Sequence, residues 1–336
     1  MDLFSAQRLV GEDAIQMIYE RYKILDYIKH NQPAGRRKIT EQLHIPERQV
    51  RNHLEYLYKK NVILIDKRGV LLNEQAEDVT PYLYDYFTKI FSSYEKEMRL
   101  QSFLGVKKVI IARGNCDKEP SALNNLGLAA ERFFVEQLDK DGLIAVSGGT
   151  ALKAFADNLR TISKPNYTVI PVRGAIGSSH SYQANTIAFY TSMKLKCDMY
   201  ELNIPDTIDT NLILSLANHP DIKAVTQKYK EIDILIFGVG KPEVLAEFRH
   251  LSKIEKDKIF QMHAAAEAVG YYLSADGEVI KKSSGIGLEL EDLKRIPVKI
   301  AVAGGESKGN AIRALSRFMN DVIIITDEGC ADALLK

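Results

Sequence analysis

The sequence predicts an α/β protein in two parts: a small, basic, helix-rich module in residues 1–73 and a doubly wound α/β domain in residues 105–336, joined by a helical connector over 74–104. Charge gives the first part. Between Arg21 and Arg68 there are twelve Lys/Arg against five Asp/Glu, +7 in a chain whose overall net charge is only +1. The order of apolar runs gives the second. From Lys107 onward, short apolar runs alternate with helical stretches, the order that builds a parallel sheet covered on both faces.

The first element is a helix. Ile15, Ile18, Tyr22, Leu25 and Ile28 recur at intervals of three and four and share one face. Pro33-Ala34-Gly35 breaks it, and Arg37 to Leu43 forms a short second helix with Ile39 and Leu43 turned inward. His44-Ile45-Pro46 supplies a turn, with Pro46 expected at the first position of a third helix. In that helix Val50, Leu54 and Leu57 make the buried stripe and leave Glu47, Arg48, Gln49, Arg51, Asn52 and Tyr56 outside. Val62-Ile63-Leu64-Ile65, the turn Asp66-Lys67-Arg68-Gly69 and Val70-Leu71-Leu72 read as a hairpin.

Helix, turn and helix followed by a basic-tipped hairpin is a winged helix-turn-helix, whose geometry lays its last helix in a major groove. Arg48, Gln49, Arg51 and Asn52 are side chains able to bond purine edges, and they are the expected base readers. Arg36, Arg37, Lys38 and Lys59 suit phosphates instead, and Lys67 and Arg68 add DNA contacts at the hairpin tip. The expected partner of this module is therefore double-stranded DNA. From Glu74 to Leu104, Val79, Leu83, Tyr86, Phe87, Ile90, Phe91 and Tyr94 recur at helical spacing. Such an amphipathic connector packs on its own chain or pairs with a second copy, and pairing is expected because two-fold DNA sites need two modules.

In the larger part, strands are expected at Val109–Ala112, Leu143–Val146, Tyr167–Val172, Ile232–Phe237, Ile300–Ala303 and Val322–Thr326. Helices are expected at Ala122–Leu138, Ala151–Leu159, Gln183–Met193, Ile254–Met262 and Gly309–Phe318. Two glycine loops, Ser147-Gly148-Gly149-Thr150 and Gly304-Gly305-Glu306-Ser307-Lys308, each close a strand and open a helix. Free backbone N–H groups and the positive helix end make such a junction an anion cradle. Arg173, just beyond another strand, offers a bidentate grip on phosphate, and Lys308 brings a mobile charge to the second cradle. Two separate cradles suit a bisphosphate.

Other chemistries find little support. Cys116, Cys197 and Cys330 are scattered and odd in number, giving neither a disulfide framework nor a zinc pattern, and a reducing cytoplasm is the expected location. The beginning Met1-Asp2-Leu3-Phe4 has no basic region followed by an apolar stretch and no apolar run approaches the roughly 18 residues of a membrane span, so neither secretion nor membrane spanning is expected. Gly238-Val239-Gly240-Lys241-Pro242 puts a proline where a dinucleotide fold would receive pyrophosphate, and no Walker sequence occurs, so no cofactor is expected. His263 and Glu267, four apart on an expected helix, are weak metal ligands, and His180 lacks a serine in a nucleophile elbow.

The winged N-terminus, Gly148-Gly149-Thr150, Pro171-Val172-Arg173-Gly174, Gln183-Ala184-Asn185-Thr186, Glu267-Ala268-Val269-Gly270-Tyr271-Tyr272 and Ala303-Gly304-Gly305-Glu306-Ser307-Lys308 together resemble the SorC-type transcriptional regulators. The resemblance covers essentially the whole chain and is strongest to those that govern glycolytic genes. It implies a homo-oligomeric repressor, dimer or tetramer, of a glycolytic operon that includes glyceraldehyde-3-phosphate dehydrogenase, induced by fructose-1,6-bisphosphate or another sugar phosphate. It also implies an effector domain similar to sugar-phosphate isomerases and deaminases but without their chemistry. Matched by position, the effector contacts fall on Gly148, Gly149, Thr150, Arg173, Gln183, Arg249, Glu267, Gly305, Glu306, Ser307 and Lys308. One phosphate is expected by Thr150 and Arg173, the hydroxyls by Gln183 and Glu267, and the other phosphate by Ser307 and Lys308.

This chain departs from the family pattern at Ala151, where a second threonine is usual, and at Phe248-Arg249, where paired arginines are usual. Each departure removes a contact, so a monophosphate or a weaker bisphosphate response is the alternative. The alternative from another class is a sugar-phosphate isomerase or deaminase with an appended nucleic-acid module, with Glu267 as its general base.

Overall fold

The computed structural model describes residues 3–139, 141–175, 180–205, 210–248, 252–283 and 285–336. The chain divides into two compact units, Met1–Lys96 and Glu97–Lys336.

In the first unit, α1 (Leu3–Asn31) is longer than the apolar spacing implied and breaks its helical geometry at Gly11. It is followed by α2 (Arg36–Leu43), α3 (Glu47–Lys59) and the hairpin β1 (Ile63–Asp66) and β2 (Gly69–Leu72). Pro46 is not the first helical residue but stands just before it, in an extended conformation. Its carbonyl still accepts the N–H groups of Gln49 and Val50, so it closes the first turn. Ile24, Leu25 and Ile28 of α1, Ile39 of α2, Val50, Leu54 and Leu57 of α3 and Ile63 and Val70 of the hairpin form one core. Ala34 and Val70 exchange backbone hydrogen bonds of 2.9 and 3.0 Å and tie the hairpin to the stretch entering α2.

The helix α4 (Glu74–Leu104) begins in the first unit and ends in the second. Part of its apolar stripe is used within the chain: Phe87 is buried with Ile15, and its ring lies 5.1 Å from that of Tyr19. Val79 and Tyr82 are exposed, whereas the side chains of Ile90, Phe91 and Tyr94 fall outside the described residues.

The second unit runs β3 (Lys108–Ala112), α5 (Pro120–Glu136), β4 (Gly142–Val146), α6 (Thr150–Asn158), β5 (Tyr167–Pro171), α7 (Ala184–Leu195) and β6 (Asp198–Met199). It continues with α8 (Thr210–Ala217), α9 (Pro220–Lys228), β7 (Ile232–Gly240), α10 (Pro242–Phe248), α11 (Lys253–Gln261), β8 (Ala266–Ala268), β9 (Tyr271–Leu273) and β10 (Val279–Lys282). It ends with α12 (Leu290–Arg295), β11 (Val298–Val302), α13 (Gly309–Phe318), β12 (Val322–Asp327) and α14 (Glu328–Leu335).

Seven strands pair in parallel in the order β6-β5-β4-β7-β11-β12-β3, and β8, β9 and β10 extend the sheet antiparallel from the far end of β7. Successive residues of each central strand enter opposite layers. Leu143, Ala145, Ala301, Val322 and Ile324 belong to one core, and Ile144, Val146, Ile300, Val302, Ile323 and Ile325 to the other. A strand buried on both faces must be apolar throughout, which is why these six runs were legible. The helices α5, α6 and α7 cover one face, whereas α9, α12, α13 and α14 cover the other. Because the strands run parallel, the loops after β4, β5, β7, β11 and β12 all leave the same edge, where doubly wound domains bind ligands.

Candidate DNA interface and effector site

On α3 the four expected base readers, Arg48, Gln49, Arg51 and Asn52, are all exposed. The helix is held by its other face. His53 is buried, with Nε2 2.9 Å from Glu20 Oε2 of α1, and the Arg21 guanidinium lies 3.6 Å above the Tyr56 ring. Sequence reading missed this seating, because Glu20 and Arg21 are polar residues of a helix chosen for its apolar face. Three of the exposed cations have partners: Arg51 with Glu55 at 2.9 Å, Arg36 with Glu47 at 3.3 Å and Arg68 with Asp66 at 2.9 Å. Arg37 and Lys38 are exposed on α2, and Lys67 and Arg68 form the hairpin tip. Asp66 shapes that tip by accepting the Arg68 N–H at 2.7 Å and its guanidinium at 2.9 Å, bonds that hold its carboxyl below the usual range.

In the second unit, the loop after β4 forms the first cradle. Ser147 Oγ accepts the N–H of Gly238, so the β4 and β7 ends are stitched together at the point where the strand order switches direction. Gly149, at φ 118°, donates its N–H to Tyr182, and a Cβ on Gly148 would stand 2.3 Å from that same Tyr182 carbonyl oxygen. Both glycines are thus required by geometry. The loop carrying Tyr182 also delivers Gln183, buried at the start of α7, to the cradle's side. Thr150 opens α6 with its side chain exposed, and among the described residues no side chain caps the first turn of that helix.

Arg173 and Glu267 are brought together in the interior. Arg173 Nη1 donates to Glu267 Oε1 at 2.9 Å, Nη2 donates to Ser283 Oγ, and the Gly270 N–H donates to the same carboxylate oxygen at 2.8 Å. Each of the two side chains is only 8% exposed. One expectation is corrected here. His263 and Glu267 do not share a helix: His263 lies in a turn at φ 50°, beyond the end of α11, and Glu267 sits in β8 opposite Gly240. Alternation in so short a strand leaves no periodic signal. Among the described residues, no cluster of His, Cys, Asp or Glu is placed to hold a metal ion.

The second cradle, after β11, is already filled by carboxylates. Gly305 donates its N–H to Asp327 at 2.8 Å, and Ser307 donates its N–H to Asp117 at 2.7 Å and its hydroxyl to the other oxygen at 3.2 Å. Lys308 Nζ donates to the Val239 carbonyl at 3.0 Å, one residue from the Gly240 that faces Glu267, and burial lowers its pKa from the usual lysine value. Glu306 is exposed and paired with Lys118 at 2.9 Å, which lowers its pKa. Asp117, Asp327 and Ser283 were not singled out by the sequence reading, although Asp327, directly after an apolar strand, carried the same positional signal as Ser147. Arg249 lies outside the described residues.

Residues 17–87 match the family described as "CggR N-terminal DNA binding domain", and residues 88–336 match "Putative sugar-binding domain". The chain belongs to the SorC family of sugar-binding transcriptional regulators. The SorC chain is 32% identical over 335 residues to the central glycolytic genes regulator of Bacillus subtilis strain 168, covering 99% of this chain and 98% of that protein. Among solved structures it resembles a SorC-family regulator from Enterococcus faecalis, with TM-score 0.67 and 29% identity over 72% of this chain and all of that one. The full-length sorbitol operon regulator of Klebsiella pneumoniae shares the fold, with TM-score 0.67, 20% identity and 91% and 94% of the two chains covered. None of the described helices is long and apolar enough to cross a membrane.

Proposed function

We propose that this SorC-family chain is a homo-oligomeric repressor of a glycolytic operon, released from its operator by fructose-1,6-bisphosphate or a related sugar phosphate. Residues 1–73 serve as the DNA-binding module, 74–104 as the connector that pairs copies, and 105–336 as the effector domain. The observation that carries the reading is the full-length likeness to a regulator of central glycolytic genes, joined to a helix α3 whose exposed face is Arg48, Gln49, Arg51 and Asn52.

On the DNA side, Arg36, Arg37, Lys38, Lys67 and Arg68 neutralise phosphates and set the register, while the four α3 side chains meet base edges. On the effector side, Gly148, Gly149 and Thr150 receive one phosphate at the start of α6. Gln183 and Glu267 meet hydroxyls, and Arg173 fixes the Glu267 carboxylate that does so. Glu267 is held as an acceptor by a guanidinium and an N–H, which suits a hydroxyl ligand better than proton abstraction. Gly305, Ser307 and Lys308 receive the second phosphate, with Glu306 at the rim and Arg249 as a further contact.

Repression is relieved when effector favours the arrangement that does not grip DNA, a coupling of about 1 to 3 kcal/mol in ordinary allostery. The test is fluorescence anisotropy of the full chain on DNA upstream of its own operon, titrated with fructose-1,6-bisphosphate, fructose 6-phosphate and inorganic phosphate. Release by the bisphosphate alone supports the glycolytic reading. Release by a monophosphate retains a sugar-phosphate regulator without it, and no release by any of them defeats the effector assignment.

A further inference from the structure

The carboxylate of Asp117 is bound as an anionic ligand would be. Its two oxygens accept the Ser307 N–H and hydroxyl, at the start of the turn that leads into α13. Gly305 stands so close, at φ 103°, that a Cβ there would lie 2.4 Å from Asp117 Oδ1. These are the donors that make a phosphate cradle, engaged by a side chain of the same protein.

The two carboxylates at this cradle are held differently. Asp327 is completely buried and accepts three N–H groups, from Cys116, Gly305 and Cys330, so it is part of the fold. Asp117 is exposed, and it belongs to a tight turn in which Asn115 accepts the N–H groups of Asp117, Lys118 and Glu119. That turn is clasped to the cradle from outside by the Lys118–Glu306 pair at 2.9 Å and an Asn115–Glu306 hydrogen bond at 3.1 Å. A phosphate arriving at Ser307 would meet the Asp117 charge at contact distance, and the two anions cannot share one pair of donors. The turn itself is anchored, since Cys116 within it donates its N–H to the buried Asp327 at 2.6 Å, but exposed clasps of this kind contribute little, so the exposed Asp117 carboxylate can be turned out of the cradle while the Cys116 anchor stays.

We infer that Asp117 is a built-in competitor for the second phosphate of the effector, and that a bisphosphate binds only by expelling the Asp117 carboxylate from the Ser307 cradle. The inference rests on the proposed reading of that cradle as a phosphate site. It makes Asp117 a selectivity element: a monophosphate seated at Gly148–Thr150 leaves its carboxylate on Ser307, whereas a bisphosphate turns it out.

The experiment is calorimetric titration of the full chain and of Asp117→Ala with fructose-1,6-bisphosphate and with fructose 6-phosphate. Removing the competitor strengthens bisphosphate binding about tenfold, the scale of one charged hydrogen bond, and leaves the monophosphate unchanged. Asp117→Asn, which keeps the acceptor but not the charge, gives a smaller gain and guards against a folding artefact. In the parent chain, hydrogen exchange at residues 117–119 rises on adding bisphosphate, while Cys116, held by Asp327, stays protected. Bisphosphate binding that is equal or weaker in Asp117→Ala overturns the inference and leaves the effector reading intact. An equal gain for both sugars also overturns it, since it reports charge at a distance rather than occupancy. Failure of both proteins to bind either sugar removes the effector reading and this inference together.

Discussion

Arg173 and Glu267, 94 residues apart in sequence, meet as a buried ion pair 2.9 Å long that links the end of β5 to β8. Ser283 and the Gly270 N–H complete the arrangement. Two charges taken from water are held there only because each satisfies the other. Removing one partner is therefore expected to be far more damaging than removing both.

Arg173→Ala leaves a buried carboxylate without its counter-ion and should cost about 3 to 5 kcal/mol of unfolding free energy. The double variant Arg173→Met with Glu267→Leu should recover most of that in denaturant titration while remaining unresponsive to effector. If both singles unfold at the parent's denaturant midpoint, the pair carries no structural charge compensation.

Arg51→Ala isolates the DNA face. The Arg51–Glu55 pair is exposed on both sides, so its loss should change stability by less than about 1 kcal/mol. Operator affinity should fall by about 1 to 3 kcal/mol, with sequence preference relaxed at one position. Lys67→Ala should instead weaken operator and random DNA alike and flatten the salt dependence. An Arg51→Ala protein gripping operator as tightly as the parent would take base reading away from α3.

The strands that carry the site were legible in the sequence because each is apolar on both faces and ends in a glycine or polar residue. Ser147, Gly148, Gly149, Gly305 and Lys308 were picked out as candidates by that signal alone. The short antiparallel strands β8, β9 and β10 were not, since three or four residues show no period and Glu267 interrupts an otherwise apolar run. The partners of the second cradle were hidden for another reason. Asp117 comes from 190 positions away and Asp327 from the C-terminal end of the neighbouring strand β12, and nothing local marks an acidic residue that will cap another segment's N–H groups. Likewise His53 reads as one more polar residue of α3 until α1 is folded against it.

Gly148→Ala tests the first cradle sterically. The added methyl would fall 2.3 Å from the Tyr182 carbonyl, so either the 180–183 loop or the cradle must shift. A folded protein that has lost the thermal-midpoint rise given by sugar phosphate is expected, since a ligand bound to the native state raises the midpoint by mass action. An undiminished rise would place the phosphate elsewhere.

Asp327→Asn separates the fold from the ligand at the second cradle. Asp327 Oδ2 accepts the Cys116 and Gly305 N–H groups, and Oδ1 caps α14 through the Cys330 N–H. An asparagine has one acceptor oxygen for both tasks, so its amide must face an N–H donor in a completely buried place. Leaving such donors unsatisfied costs about 1 to 3 kcal/mol, and thermal unfolding should register the loss even without effector. Asp117→Asn, at an exposed residue whose side chain meets only the Ser307 donors among the described residues, should leave the unliganded midpoint close to the parent's. Equal destabilisation by the two substitutions would mean that the Asp117 carboxylate is as fixed as the buried Asp327, and that it cannot yield to a phosphate.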